Sequence, residues 1–220
     1  ASLGISVYPK DGTTASELMR HADAAMYHAK SKGRNTHSFF SEDLNARLSE
    51  RFELESQLRL ALVRGELSLH FQPQFQAEGA RLMGFEALLR WQTPDGRWIP
   101  PDKIIPVAEE SGLIHPIGDW VLEEACSHWK QWRVQHGADI RVSVNLSASQ
   151  LRDRGLLTRI RQLTERFDMP PGALELELTE AVAMHDPGAS IELMKQLREL
   201  QVSLAVDDFG TGYSSLAYLK

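Results

Sequence analysis

Five short aliphatic runs, Leu67–Gln72, Gly84–Trp91, Ile140–Leu146, Leu174–Thr179 and Val202–Asp207, alternate with segments whose apolar residues recur at helical spacing, near Asp102–Glu110, Ile117–Gln135, Leu156–Phe167 and Ile191–Leu200. No other feature constrains the fold as tightly. Strands that alternate with helices join through right-handed crossovers, so the expected architecture is α/β with a largely parallel sheet or barrel. In a barrel the strand C-termini converge on one face, and what stands there decides the chemistry.

Oxygen-bearing residues stand there. Glu86, Asn145, Glu180 and the pair Asp207-Asp208 lie at or near the ends of four of the five runs. A single Asp after a strand is equally well a helix cap or a turn residue; the repetition is what argues for a site. Side-chain alternation tests the idea. Ile140, Val142, Val144 and Leu146 share one face and leave Ser143 and Asn145 on the other; Val202, Leu204 and Val206 leave Ser203, Ala205 and Asp207 opposite. Glu86 falls on the side of Arg90, opposite Phe85, Ala87 and Leu89. In Leu174–Thr179 the alternation puts Glu175, Glu177 and Thr179 inside and Glu180 outside. Either a bulge or the strand-end turn re-aims Glu180, or Glu177 is the functional acid.

Carboxylates with one amide oxygen, and no Cys or His at ligand spacing, make a hard donor set that suits Mg²⁺ or Mn²⁺ better than zinc. Acids this close repel one another unless cations sit between them. Two such ions about 3.5–4 Å apart stabilise both the attacking and the leaving oxygen in phosphodiester cleavage.

Ahead of Gly65 the texture differs. Ser2–Tyr8 alternates like a strand and stops at the turn Pro9–Gly12; Thr14 and Glu17 form a capping box for a helix that ends at Gly33. One strand, one helix and the segment Thr36–Phe40 cannot enclose a core, so residues 1–40 are expected to be the tail of a domain that begins upstream. Leu44, Leu48, Phe52, Leu58 and Leu62 then mark residues 41–65 as a connecting helix about 35 Å long. Residues 66–220 form the second domain.

The composition, 42% hydrophobic and 25% charged, is ordinary for a globular protein. There is no run of eighteen apolar residues, and Ala1-Ser-Leu-Gly4 lacks the basic start and apolar core expected of a signal peptide. The single cysteine, Cys126, suits a reducing compartment, which makes the cytoplasm the expected location, with any membrane anchor outside this piece. A net charge of −6 argues against binding nucleic acid but leaves room for an anion held through metals or arginines. The arginines at 152, 154, 159, 161 and 166 read as a solvated helix face.

Taken together, Phe71-Gln-Pro-Gln74, Glu86-Ala-Leu88 with Arg90-Trp91, Val144-Asn-Leu-Ser147, Glu177-Leu-Thr-Glu180 and Asp207-Asp-Phe-Gly-Thr-Gly-Tyr-Ser-Ser215 resemble the EAL-type cyclic di-GMP phosphodiesterases. Ser2-Leu-Gly-Ile-Ser6 and Ala22-Asp-Ala-Ala-Met-Tyr-His-Ala-Lys30-Ser-Lys-Gly-Arg34-Asn35 resemble the tail of a GGDEF, diguanylate cyclase-like domain. The resemblance implies a TIM-like (β/α) barrel of which the first five strands are present. It implies Glu86, Asn145, Glu180, Asp207 and Asp208 as ligands of two Mg²⁺ or Mn²⁺ ions, with Glu86, Asp207 and Asp208 at the catalytic centre. Gln72 and Arg90 would contact the dinucleotide, Gly210–Ser215 would form a loop linking substrate to metal, and Lys30 and Arg34 would touch phosphate in the cyclase-like part. The implied partners are cyclic di-GMP and a second EAL copy in a homodimer.

The family's later Lys-Ile-Asp strand, glutamate and glutamine do not occur in these 220 residues, and Lys220 is not that lysine. The piece alone is therefore expected to be inactive, with an open sheet edge after Asp207. Two functions remain for the protein it comes from: hydrolysis of cyclic di-GMP to linear pGpG, or non-catalytic sensing of the dinucleotide in the same pocket.

Overall fold

The computed structural model describes residues 1–207 apart from 32, 34, 80, 138–139 and 180–186. The chain divides into two compact units, Ala1–Leu60 and a second that begins at Ala61.

In the first unit β1 (Leu3–Ile5) and β2 (His37–Phe39) pair in parallel, joined by α1 (Ala15–Ser31). The capping box forms: the Glu17 amide donates to Thr14 Oγ1 at 3.2 Å and the Thr14 amide to Glu17 Oε2 at 3.1 Å. The Thr13 and Thr14 amides hold the Glu17 carboxyl below its ordinary range. Gly4 is a packing requirement, because a Cβ there would collide with the Ala22 carbonyl and the Met26 amide of α1. Ser41 caps α2 (Glu42–Arg64) by accepting from the Leu44 amide at 3.2 Å. Leu44 and Leu48, one turn apart, bury with Ala25 and Phe40, and His21 stacks on Phe40 with ring centroids 3.9 Å apart.

The second unit is built on the strand order β3-β4-β6-β7-β8, from β3 (Leu67–Phe75), β4 (Leu82–Gln92), β6 (Arg141–Asn145), β7 (Leu174–Thr179) and β8 (Ser203–Asp207), with the short β5 (Trp98–Ile99) paired to β4. From β4 to β8 the main path is parallel, as the strand and helix alternation requires. The first pair departs from the parallel expectation. β3 and β4 form an antiparallel hairpin, because the connection between Phe75 and Leu82 is too short for a crossover. Pro73 lies inside β3 rather than ending it, which an edge strand tolerates because its outer side needs no ladder donor.

Helices α3 (Pro101–Ser111), α4 (Ile114–His136), α5 (Ala148–Leu151), α6 (Leu156–Arg166) and α7 (Pro187–Glu199) connect the strands. Val142, Val144, Leu174, Leu176 and Leu178 are buried on one face of the sheet, the apolar face that alternation assigns to the helices. Gly137 ends α4 in a left-handed turn at φ 59°, its amide donating to the Arg133 carbonyl. Arg159 bonds both Asp119, at 2.6 Å, and Asp153, and Arg166 bonds Glu123 at 2.7 Å, so two members of the arginine-rich segment lace α6 to neighbouring carboxylates. No helix among the described residues is long and apolar enough to cross a membrane.

Cys126 is fully buried in α4, and burial pushes its thiol up to about 12. At pH 8 the thiol stays protonated and unreactive. Iodoacetamide at pH 8 is expected to leave the Cys126 peptide unmodified in the native protein and to label it fully in urea, as read by mass spectrometry. The neutral thiol's contribution to stability is complete below its ordinary value of 9.0 and is lost as pH rises towards 12.

Candidate active site

The strand register brings the polar residues of five strands to one face. Gln72 lies opposite Glu86, Glu86 beside Ser143, Asn145 beside Glu177, and Thr179 beside Asp207. Asn145 Nδ2 donates to Glu86 Oε1 at 2.7 Å, joining residues 59 positions apart in sequence. That bond occupies the amide nitrogen and leaves Asn145 Oδ1 to serve as a donor to a cation. Arg90 lies on the same face of β4 as Glu86, four residues on, its Nη1 donating to the Leu89 carbonyl at 2.8 Å. Asp207 is exposed at the end of β8.

Glu177 is on this inner face and 8% exposed, accepting from Gln74 Nε2 at 3.1 Å. Burial raises its carboxyl above the ordinary range, the Gln74 amide opposes this, and the negative charge of Glu86 adds to it. A carboxylate facing a second one under these conditions is stabilised by a cation between them. Glu180, Asp208, the Gly210–Ser215 segment and Lys220 lie outside the described residues, as does Arg34. Lys30 is exposed in the last turn of α1, in the other unit.

Sequence reasoning put Ser143 and Glu175 on this face but missed the contacts they make. Gln74, Arg141, Ser143 and Glu175 form a hydrogen-bonded layer beside Glu177. A signal existed: alternation puts Glu175 inside, and a buried carboxylate needs a cation, which Arg141 supplies on the same parity.

Among the described residues no group of three or more His, Cys, Asp and Glu side chains converges closely enough to hold a metal ion. The donor types nevertheless fit a hard divalent cation: Glu86, Asn145, Glu177 and Asp207 offer oxygen only. Beside them opens a cavity of about 530 Å³ with Arg90, Asn145, Ser147 and Thr179 around it and Leu88, Ile105, Ile117 and Val121 forming apolar walls. Convergent polar groups on an apolar cavity are the usual form of a small-molecule site.

Residues 55–220 match the EAL domain family, and residues 1–36 match the diguanylate cyclase, GGDEF domain family. The chain is 48% identical over 220 residues to the bifunctional diguanylate cyclase/cyclic di-GMP phosphodiesterase MucR of Pseudomonas aeruginosa, covering 100% of this chain and 32% of that protein. A solved structure of the PaMucR phosphodiesterase in complex with c-di-GMP superposes with a TM-score of 0.73 at 45% identity, over 76% of this chain and 68% of that one. The FimX EAL domain of Pseudomonas aeruginosa bound to c-di-GMP superposes with a TM-score of 0.69 at 26% identity, over 76% and 66% of the two chains. The chain spans between about a quarter and a third of the length of the curated relatives it matches.

Proposed function

The chain belongs to the EAL domain family, and on that basis we propose that the full-length protein hydrolyses cyclic di-GMP to linear pGpG with two divalent cations, Mg²⁺ or Mn²⁺, in its EAL unit. The observation that carries this reading is the Asn145–Glu86 pair on the same inner face as Glu177, beside the cavity reached by Arg90.

Glu86, Asn145, Glu177 and Asp207 would hold the cations, with Asp208 and Glu180 completing the oxygen set. When bound, the ions would neutralise charge on the phosphodiester and lower the pKa of the attacking water. Arg90 offers the planar fork that matches a phosphate. The apolar walls take a guanine face, and Gln72, opposite Glu86, holds the dinucleotide edge over the carboxylates. Lys30 and Arg34 belong to the phosphate-contacting surface of the cyclase-like domain. A homodimer through the EAL unit is part of the proposal, checked by light scattering on the full-length protein.

The test is direct. Full-length protein incubated with cyclic di-GMP and Mg²⁺ or Mn²⁺ is expected to release pGpG, and EDTA is expected to stop it. Dinucleotide binding without pGpG under either metal would replace the enzyme reading with that of a sensor.

A further inference from the structure

Gln74 has no role in the site as sequence reasoning assigns it, yet its amide touches Glu177 and has only one workable orientation. Arg141 fixes it. A guanidinium only donates, so Arg141, bonded through Nη1 to Glu175 Oε2 at 3.0 Å, presents Nη2 to the Gln74 oxygen at 3.4 Å. Ser143 has a single hydroxyl proton, and its shorter bond is to Glu175, at 2.9 Å against 3.3 Å to Gln74. With its oxygen facing Arg141, Gln74 must turn its NH₂ to Glu177, where Nε2 lies 3.1 Å from Oε1. One oxygen of Glu177 is thereby engaged, which leaves the other for the inner face.

The arrangement depends on a missing side chain. Gly84 lies between Gln74 on β3 and Arg141 on β6 in the strand register. A Cβ at Gly84 would collide with the carbonyl and the Cγ of Arg141. Glycine here opens the path by which the arginine reaches across β4 to the edge strand.

The geometry points to Gln74 and Arg141 as positioning residues that set the orientation of the Glu177 carboxylate for cation binding, with Gly84 as the gap that lets them meet. This rests on the reading of Glu177 as a metal ligand. Groups that orient a ligating carboxylate typically change metal affinity 10–100-fold.

The experiment is a Mn²⁺ titration of the full-length protein, followed by the electron paramagnetic resonance signal of free Mn²⁺, with cyclic di-GMP affinity measured separately in EDTA. Gln74→Met keeps the side-chain volume and removes the amide. It is expected to weaken Mn²⁺ binding about 10–100-fold while leaving the metal-free dinucleotide affinity unchanged. Arg141→Lys, which keeps a cation beside Glu175 and loses the fork that also reaches Gln74, is expected to act in the same direction, so the idea does not depend on one variant. Glu86→Gln is the control for the site itself. If Glu86→Gln loses Mn²⁺ while Gln74→Met and Arg141→Lys bind it like the wild type, the positioning role is overturned and the metal site stands. If Glu86→Gln also binds Mn²⁺ normally, the metal-site reading falls and the positioning role falls with it.

Discussion

Glu86→Gln in the full-length protein is expected to lower the rate of pGpG release by about a thousandfold, with cyclic di-GMP affinity in EDTA within a few-fold of the wild type. The substitution is nearly isosteric, and a glutamine oxygen can still accept the 2.7 Å bond from Asn145 Nδ2. The loss therefore reports charge at the site rather than a collapsed strand. Charge neutralisation by a cation is worth several kcal/mol of barrier, and each 1.36 kcal/mol is about a factor of ten. Glu78→Gln, in the exposed connection between β3 and β4, is the matched control and is expected to behave as the wild type. Chromatography of the nucleotide products separates the outcomes. A Glu86→Gln protein that retained more than a tenth of the rate would remove Glu86 from the chemistry.

How much of this was legible beforehand varies residue by residue. Alternation within β6 and β8 was enough to put Ser143, Asn145 and Asp207 on the face away from the helices, because a strand's period of two leaves no other arrangement once the aliphatic positions are fixed. The same rule placed Glu177 inside, and it is there, bonded to Gln74. The Gln74–Glu177 and Gln74–Arg141 contacts were not legible. They join residues 103 and 67 positions apart, and they depend on the register of an edge strand that runs antiparallel to its neighbour. A short connection signals that reversal, but the aliphatic run read in the sequence ends at Gln72, short of the end of β3 at Phe75. Gly84 reads in sequence as a strand-entry glycine. Only the three-strand register shows that its missing side chain is where Arg141 crosses.

The site's precision is inherited from the other face of the sheet, and this gives the second large expected effect. Leu176 is fully buried between Glu175 and Glu177, so the residue that locks β7 against the helix-facing core is flanked by two acids of the inner face. Leu176→Ala removes a buried side chain whose space the neighbouring Leu174, Leu178 and Val144 cannot refill without moving β7. The expected loss is about 2–5 kcal/mol. It is read as faster hydrogen exchange of the β6 and β7 amides in the full-length protein, a measurement that isolates this sheet from other parts of a long chain. Leu176→Met nearly conserves volume and is expected to cost less than about 1.5 kcal/mol. Because Glu177 depends on β7 for its position opposite Asn145, Leu176→Ala is also expected to weaken Mn²⁺ binding. A Leu176→Ala protein with wild-type exchange in β7 would show that the strand is held by its inner polar face rather than by its leucines.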